Sequence, residues 1–380
     1  MDSPAALVNR AGAWTDGTWF ATIRSTTVGG VESKSLEIAK RAASDPLVLA
    51  ASQQVPLPGV SDFLVVGESF IGVQVGQTVQ FFRPDASGTW ASAGSVSLPA
   101  GATLGDLTDN WLALVVSGGE VVLYSVDAAG PTITADYAQT LSSTSTNSCE
   151  VAGFGGNGVR VDGELLAVGV GNSSCTPSNV RSVDLFRLVG GTWQLGQQFA
   201  DTSGHTGYAG SFDVDDQPTV DRLVIGSQLG VFMQAGTAPQ VEVFEDTGSG
   251  YAVVQTLVPD PAVPNYLASA FGSHVTISGR VLGTTTKFEV YPSAEPGQPD
   301  ARGQYVAAYV RSSAGVWTRE AEKAVFVNPA PAGTLGEAPL VLSGARSTIA
   351  VANYVPLTTA PCVGCLSIGA EAWFLDRTPA

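Results

Sequence analysis

The sequence is poor in lysine, histidine and cysteine, and each shortage excludes a class of protein. Only four of the 380 residues are lysine, and the formal net charge is −16 at pH 7. Nucleic-acid phosphates and anionic lipid surfaces attract clustered Lys and Arg side chains, so neither is an expected partner. No apolar run approaches the roughly 20 residues that a membrane-spanning helix needs. We therefore expect no nucleic-acid binding and no membrane insertion.

Residues that commonly carry catalysis are equally scarce. The two histidines, His205 and His274, stand beside Gly or Ser, and a lone histidine is more often structural than a general base. The sequence has no Gly-x-Ser-x-Gly nucleophile elbow and no Gly-x-x-x-x-Gly-Lys phosphate loop. These shortages predict a protein that is not an enzyme.

Glycine and hydrophobic residues are abundant, and one segment shows how they are used. The run from Gly153 to Gly169 alternates Val159 and Val161 with polar neighbours, turns at Asp162-Gly163 and continues as a short apolar stretch. Alternation at period two, a tight turn and a run too short for a helix predict a β-hairpin. Two more strands follow, at 183–187 and 194–199, with Gly191-Thr192-Trp193 between them.

Approximate copies of this four-stranded unit recur along the chain. Such repetition is typical of a β-propeller, so we predict an all-β, seven-bladed β-propeller of four-stranded antiparallel blades in one domain, 1–380. The last unit shows only three strands, and an N-terminal strand is expected to complete it; Gly17-Thr18-Trp19 is one candidate. The approximate predicted blades are 1–58, 59–100, 101–145, 146–205, 206–262, 263–327 and 328–380.

Several short motifs give the chain a family resemblance. Phe154-Gly155 and Phe271-Gly272 open strands, Leu166 to Gly169 and Leu223 to Gly226 form second strands, and a third strand precedes Gly-Thr-Trp. This order resembles the FG-GAP repeat of the propeller at the head of integrin α chains and of bacterial relatives. The resemblance covers about residues 60 to 275. It implies a binding or adhesion module that recognises a protein or glycan, without catalysis.

One acidic segment has the composition of a metal-binding loop. Asp213, Asp215 and Asp221 occupy positions 1, 3 and 9 of the segment 213–221, and Gln217 offers an amide oxygen at position 5. Carboxylate and amide oxygens suit Ca²⁺, and the integrin-type repeat implies a Ca²⁺ loop between its first two strands. Pro218 departs from the family pattern because it cannot adopt a positive φ where Gly is usual. The predictions are a structural Ca²⁺ site or, alternatively, a solvated acidic loop.

The four cysteines fall into two pairs. Cys149 and Cys175 lie in connections that a four-stranded blade places on the same face, so a bridge between them is plausible. Cys362 and Cys365 could close a local bridge in the corresponding loop of the last unit. A zinc site would need more soft ligands than the two histidines provide. We favour two disulfides over free thiols, which implies an extracellular, periplasmic or cell-surface location.

The resulting functional prediction is a monomeric binding module. Its long loops, 171–181, 229–240, 284–303 and 356–369, are expected on one face of the ring. Trp90, Trp193 and Trp317 recur at one point of the unit and are predicted to pack between blades, because tryptophan is mostly buried. The alternative is a hydrolase or lyase that uses the central channel of the propeller.

Overall fold

A computed structural model gives the fold of most of the chain, with no ligand present. The residues that the structure describes are 6–8, 14–15, 19–28, 31–41, 49–58, 63–67, 69–171, 181–200, 207–228, 239–260, 271–285, 289–291, 301–327, 341–345, 348–357 and 367–376.

The described strands form separate antiparallel sheets, numbered here in chain order. Sheet 1 contains β1 (Ala6–Val8), β2 (Trp14–Thr15), β3 (Trp19–Val28), β4 (Val31–Arg41) and β5 (Leu49–Leu57). Sheet 2 contains β6 (Phe63–Val66), β7 (Ile71–Val75), β8 (Thr78–Pro84) and β9 (Trp90–Ser97). Sheet 3 contains β10 (Ala102–Leu107), β11 (Trp111–Val116), β12 (Glu120–Asp127) and β13 (Thr134–Ser142).

The second half of the chain continues in the same way. Sheet 4 contains β14 (Phe154–Asp162), β15 (Leu165–Gly171), β16 (Arg181–Val189) and β17 (Thr192–Ala200). Sheet 5 contains β18 (Gly207–Asp215), β19 (Arg222–Gln228), β20 (Gln240–Asp246) and β21 (Tyr251–Leu257). Sheet 6 contains β22 (His274–Ser278), β23 (Val281–Thr285), β24 (Glu289–Tyr291), β25 (Ala301–Arg311) and β26 (Trp317–Val327). Sheet 7 contains β27 (Val341–Ala345), β28 (Thr348–Leu357) and β29 (Ser367–Asp376).

The predicted all-β class is confirmed. Within sheets 2 to 5 the strands pair in chain order, so each sheet is a meander. The one helix in the described residues is the short α1 (Ser148–Gly153), where the Asn147 side chain accepts a hydrogen bond from the backbone N–H of Cys149. No helix in the described ranges is long and apolar enough to cross a membrane.

The sheets stack face to face, and the core lies between them. Each of the main hydrophobic clusters draws its buried residues from two consecutive sheets. The strand β15 is buried along almost its whole length because neighbouring sheets cover both of its faces, which explains its continuous apolar run. In the outer strand β17, by contrast, mainly Trp193 and Phe199 are buried. Consecutive meanders stacked in this way are the arrangement of a β-propeller.

The first strands of the sheets contact one another in series. β6 contacts β10, β10 contacts β14, β14 contacts β18, β18 contacts β22, and β22 contacts β27. At the N-terminus, β1 and β2 both pair with β3. β2 also contacts β27 and β6, and β1 approaches β29. The strand partner found for the N-terminal segment is therefore β3, and completion of the last sheet by this segment stays a prediction.

Candidate functional site

The acidic segment of sheet 5 is more regular than the sequence suggested. Asp213 and Asp215 belong to strand β18, and only Gln217 and Asp221 lie in the connection to β19. Residues two apart in a strand point to the same face, so both strand carboxylates face sheet 6. The strand continues through Asp215 because this residue pairs with Arg222 across the hairpin.

Asp213 is engaged by the first strand of sheet 6. Its Oδ2 atom accepts hydrogen bonds from the Thr276 hydroxyl, at 2.8 Å, and from the Ile277 backbone N–H, at 2.9 Å. Burial raises the pKa of Asp213 to about 6, although the positive charge of Arg160 and these two hydrogen bonds act in the opposite direction. The carboxyl therefore joins two sheets.

Asp215 is buried and has a different set of partners. Its Oδ1 atom accepts from the Gly279 backbone N–H and from the Gln217 side-chain amide, both at 2.8 Å. Its Oδ2 atom is 2.7 Å from Nη1 of Arg222. Burial raises the pKa of Asp215, while the Gly279 hydrogen bond and the Arg222 charge lower it.

Asp221 turns away from both and pairs with sheet 4. Its Oδ2 atom is 2.5 Å from Nη2 of Arg187, which also contacts Asp246, at 2.6 Å, and the Tyr251 hydroxyl, at 2.9 Å. The structure thus places Gln217 beside Asp215 but directs the three carboxylates to separate protein partners. In the described part of the chain no three Asp, Glu, His or Cys side chains are arranged to hold a metal ion. As arranged, the predicted ligands do not fit one Ca²⁺.

Carboxylates also join the first strands of neighbouring sheets elsewhere. Asp106 Oδ2 accepts the Val161 N–H at 2.8 Å, and Asp162 Oδ2 accepts the Asp216 N–H at 2.7 Å. Burial raises the pKa of Asp162 to about 7, with the negative charges of nearby aspartates adding to the effect. Burial likewise raises the pKa of Asp106. Sheets 3 to 6 are therefore linked at this edge by carboxyl groups that are buried or half-buried and have raised pKa values.

A shallow cleft of about 190 Å³ lies between sheets 4 and 5. Arg187 and Tyr251 line it, with the guanidinium 5.5 Å from the centre of the tyrosine ring. Small-molecule sites usually measure about 300–1,000 Å³. The cleft is smaller than that, and its main polar groups are bonded to one another.

The aromatic-glycine motifs have a clear structural role. Phe154 and Phe271 are fully buried, and Gly155 and Gly272 have positive φ angles of 78° and 83°. Glycine adopts a positive φ more easily than any other residue, which explains why glycine follows the phenylalanine in this motif. The equivalent pair in sheet 5 is Tyr208-Ala209, where Ala209 has a φ of 54°. The sequence motif did not reveal that pair because neither residue matches Phe-Gly.

The predicted packing role of the tryptophans is confirmed. Trp90, Trp193 and Trp317 are 4%, 2% and 2% exposed. Each belongs to a cluster between neighbouring sheets. Their rings are therefore part of the core and are not available for stacking on a ligand.

A second repeated feature was missed by sequence reasoning. In four places a glutamine on the outer strand of one sheet contacts an aromatic residue at or next to the start of the outer strand of the next sheet. The side-chain amide of the glutamine donates to the C=O of the aromatic residue and accepts from its N–H. We call this arrangement the glutamine clasp. The N···O distances lie between 2.8 and 3.1 Å, and the pairs are Gln53 with Trp90, Gln139 with Trp193, Gln197 with Tyr251, and Gln255 with Trp317.

A β-bulge places three of these glutamines. The extra residue of the bulge is Ala138, Gly196 or Val254, and the glutamine follows it directly. In sheet 2 the extra residue of the bulge is Ala93, and Gly94 occupies the position of the glutamine. Sheet 3 approaches closely here, and the Ile133 N–H donates to the Ala93 C=O at 2.7 Å. A signal was present in the sequence, since Gln197 and Gln255 each stand four residues after the aromatic residue of their own strand.

The predicted disulfides fall mostly outside the described residues. Cys175, Cys362 and Cys365 are not described, and Cys149 lies in α1. No described cysteine is a free thiol. The pairings Cys149 with Cys175 and Cys362 with Cys365 stay predictions.

Comparison with known proteins gives similarity in structure alone. No protein-family model matches the chain, and no curated protein matches it. The chain is similar to the β-propeller domain of the Trilobed protease from Pyrococcus furiosus, with 10% identity, 100% of both chains covered and a TM-score of 0.47. It is also similar to the WD40 domain of SCAP from fission yeast, with 12% identity, 92% of this chain and 94% of that chain covered, and a TM-score of 0.42.

Proposed function

We propose that the protein is a non-catalytic binding module built on a ring of seven blades. The sheets follow one another in chain order, and β2 contacts both β27 of the last sheet and β6 of the second. These contacts support closure of the ring through sheet 1. The resemblance of the Phe-Gly and Gly-Thr-Trp motifs to the integrin-type repeat supports a role in recognition.

The distribution of loop lengths carries the proposal. In a meander, all connections between second and third strands emerge on one face. These connections are short in sheets 2 and 3, at 76–77 and 117–119, but long in the next four sheets, at 172–180, 229–239, 286–300 (which includes β24) and 358–366. Binding residues are often placed on loops that a rigid scaffold positions. We assign the binding surface to the face with these four connections.

The ligand class is a protein or a glycan. The net charge of −16 disfavours phosphate-rich ligands. The proposed location is extracellular, periplasmic or at the cell surface, in keeping with the two predicted disulfides, and the proposed state is a monomer.

The test compares two loop variants on a glycan array and against a panel of extracellular proteins. The first variant replaces 229–239 with Asn-Gly, and the control carries Ser87→Ala in a turn on the other face. The proposal expects a ligand for the wild type that the control retains and the loop variant loses. A ligand retained by both variants, and also by matched replacements of 172–180, 286–300 and 358–366, would place recognition elsewhere.

One observation favours the alternative of a hydrolase or lyase. Asp162 and Asp213, with pKa values raised to about 7 and about 6, lie on neighbouring first strands. Perturbed carboxyl groups of this kind occur at catalytic sites as well as in structural networks. A hydrolase panel tests this alternative. Turnover of a substrate that Asp162→Asn abolishes would support a hydrolase or lyase and refute the binding proposal.

A further inference from the structure

The pair formed by Arg222 and Asp215 is the most deeply buried ion pair of the described residues. Their side chains are 5% and 2% exposed, and Nη1 is 2.7 Å from Oδ2. Nε of Arg222 is also 3.2 Å from Oε1 of Glu245, which in turn is 2.7 Å from Nη2 of Arg311. Strands β18 and β20 of sheet 5 thus meet at this guanidinium, and Arg311 of sheet 6 joins the cluster through Glu245.

The pair also holds both backbone groups of one glycine in the next sheet. The Gly279 N–H donates to Asp215 Oδ1 at 2.8 Å, and the Gly279 C=O accepts from Arg222 Nη1 at 2.9 Å. Gly279 lies in the turn between β22 and β23. The carboxylate and the guanidinium therefore act together as a two-point clamp between sheets.

A cation at the acidic segment would have to displace this arrangement. Asp215 would need to release Arg222, which would leave the buried guanidinium with Glu245 as its one remaining carboxylate and without its closest partner, a loss that costs stability in a buried pair. Asp221 would need to release Arg187, and Asp213 would need to release Thr276 and Ile277. If Asp215 turned toward an ion, the Gly279 N–H would also lose its acceptor, the Oδ1 atom of Asp215.

We propose that Arg222 takes the place that the sequence pattern assigns to Ca²⁺, so that the first connection of sheet 5 is fixed by a guanidinium and is independent of metal. Arg187 performs the same task for Asp221 from the side of sheet 4. This inference does not depend on the proposed binding function. The presence of Arg222 in place of Ca²⁺ explains how the connection tolerates Pro218, since the backbone does not need to wrap around an ion.

The first test uses the wild-type protein. After treatment with EDTA, calorimetry with Ca²⁺ at several-millimolar concentration should show no stoichiometric binding, and the melting temperature should not change. Binding of one Ca²⁺ with a rise in melting temperature would overturn the proposal.

The second test uses Arg222→Met, which keeps much of the side-chain bulk but removes the charge. Its matched control is Arg280→Met, because Arg280 is exposed and donates to the Arg311 carbonyl oxygen. We expect Arg222→Met to have a lower melting temperature, part of which Ca²⁺ restores, whereas Ca²⁺ should leave the melting temperature of the control unchanged. Equal melting temperatures and equal Ca²⁺ responses in the two variants would refute the proposal.

A double variant decides the case in which Arg222→Met does not fold. Asp215→Leu combined with Arg222→Met replaces the buried pair with apolar groups, which proteins often tolerate. It should fold in EDTA and show no response to Ca²⁺. Folding of the double variant only in the presence of Ca²⁺ would show that the segment depends on metal and would contradict the inference.

Discussion

Replacing Gln139 with leucine should destabilise the protein measurably, although the residue lies near the surface. In the structure its side-chain amide accepts the N–H of Trp193 at 2.9 Å and donates to the C=O of the same residue at 3.0 Å. Leucine has a side chain of similar size, but it can neither donate nor accept a hydrogen bond. Gln139→Leu therefore removes one glutamine clasp and leaves the fold pattern unchanged.

The expected loss follows from the two groups left without partners. A partly buried backbone N–H or C=O that loses its hydrogen bond costs about 1–3 kcal/mol, and partial access of water moves the value toward the lower end. Two such groups give about 2 kcal/mol for Gln139→Leu. Gln255→Leu, which removes the clasp to Trp317, should cost a similar amount. The two losses should add because the clasps share no partner.

Urea denaturation followed by tryptophan fluorescence measures these losses through the shift of the midpoint. The matched control is Gln194→Leu, because Gln194 is an exposed outer-strand glutamine one residue after Trp193. The control should stay within about 0.5 kcal/mol of the wild type. If Gln139→Leu and Gln194→Leu unfold at the same midpoint, the clasp contributes nothing and the reasoning fails.

A charged variant tests the hydrogen-bond pattern itself. Gln139→Glu retains the acceptor for the Trp193 N–H at every pH, but it regains a donor for the Trp193 C=O only when the carboxyl is protonated. The variant should therefore lose less stability at about pH 4.5 than at about pH 7.5. Equal losses at both pH values would show that side-chain shape, and not the paired hydrogen bonds, matters at this position.

Two further predictions concern other contacts between sheets. Gly226→Ala should cost about 3 kcal/mol, since the new Cβ would overlap the carbonyl oxygen of Gly272 before the first strand of sheet 6. Gly196→Ala, with only the Leu185 oxygen nearby at 3.5 Å, should be nearly neutral in the same denaturation assay. Similar midpoints for the two variants would contradict this packing. Burial raises the pKa of Asp162 to about 7 and that of Asp213 to about 6, so the folded state favours the protonated form of both carboxyl groups. Their contribution to the free energy of unfolding is therefore fully present below about pH 4 and is lost as pH rises through about 6 and about 7. The melting temperature should therefore fall between about pH 5 and about pH 8, and the fall should be smaller in Asp162→Asn; an identical pH dependence in both proteins would exclude this role.

The all-β class and the packing of the tryptophans could be predicted because they depend on local patterns. The alternation of Val159 and Val161 and the Asp162-Gly163 turn specify a hairpin within a few residues of sequence, and the structure pairs β14 with β15 in this way. The positive φ of Gly272 is likewise a local demand of its Phe-Gly pair.

The partners of the polar side chains could not be predicted in the same way. Spacing alone brought Asp213, Asp215 and Asp221 together as possible ligands of one ion. In the structure the first two point to Ile277 and Arg222, whereas Asp221 points to Arg187 of another sheet. Those partners are distant in sequence or lie across a hairpin, and nothing in a single sequence shows which carboxylate meets which guanidinium.

The seams between sheets 3 and 4, 4 and 5, and 5 and 6 differ in chemistry at their two edges. At the first strands the contacts are made by carboxyl groups such as Asp162 and Asp213, whose pKa values are raised by burial. At the outer strands they are made by the neutral amides of Gln139, Gln197 and Gln255, which do not titrate. A rise in pH therefore adds an unfavourable charge only at the first-strand edge, while the outer clasps keep their strength. Sheets 4 to 6 have both kinds of contact, and the long connections begin and end at their strands. When the carboxyl groups at the first strands ionise, we expect the glutamine clasps to keep these sheets, and with them the proposed binding face, in place.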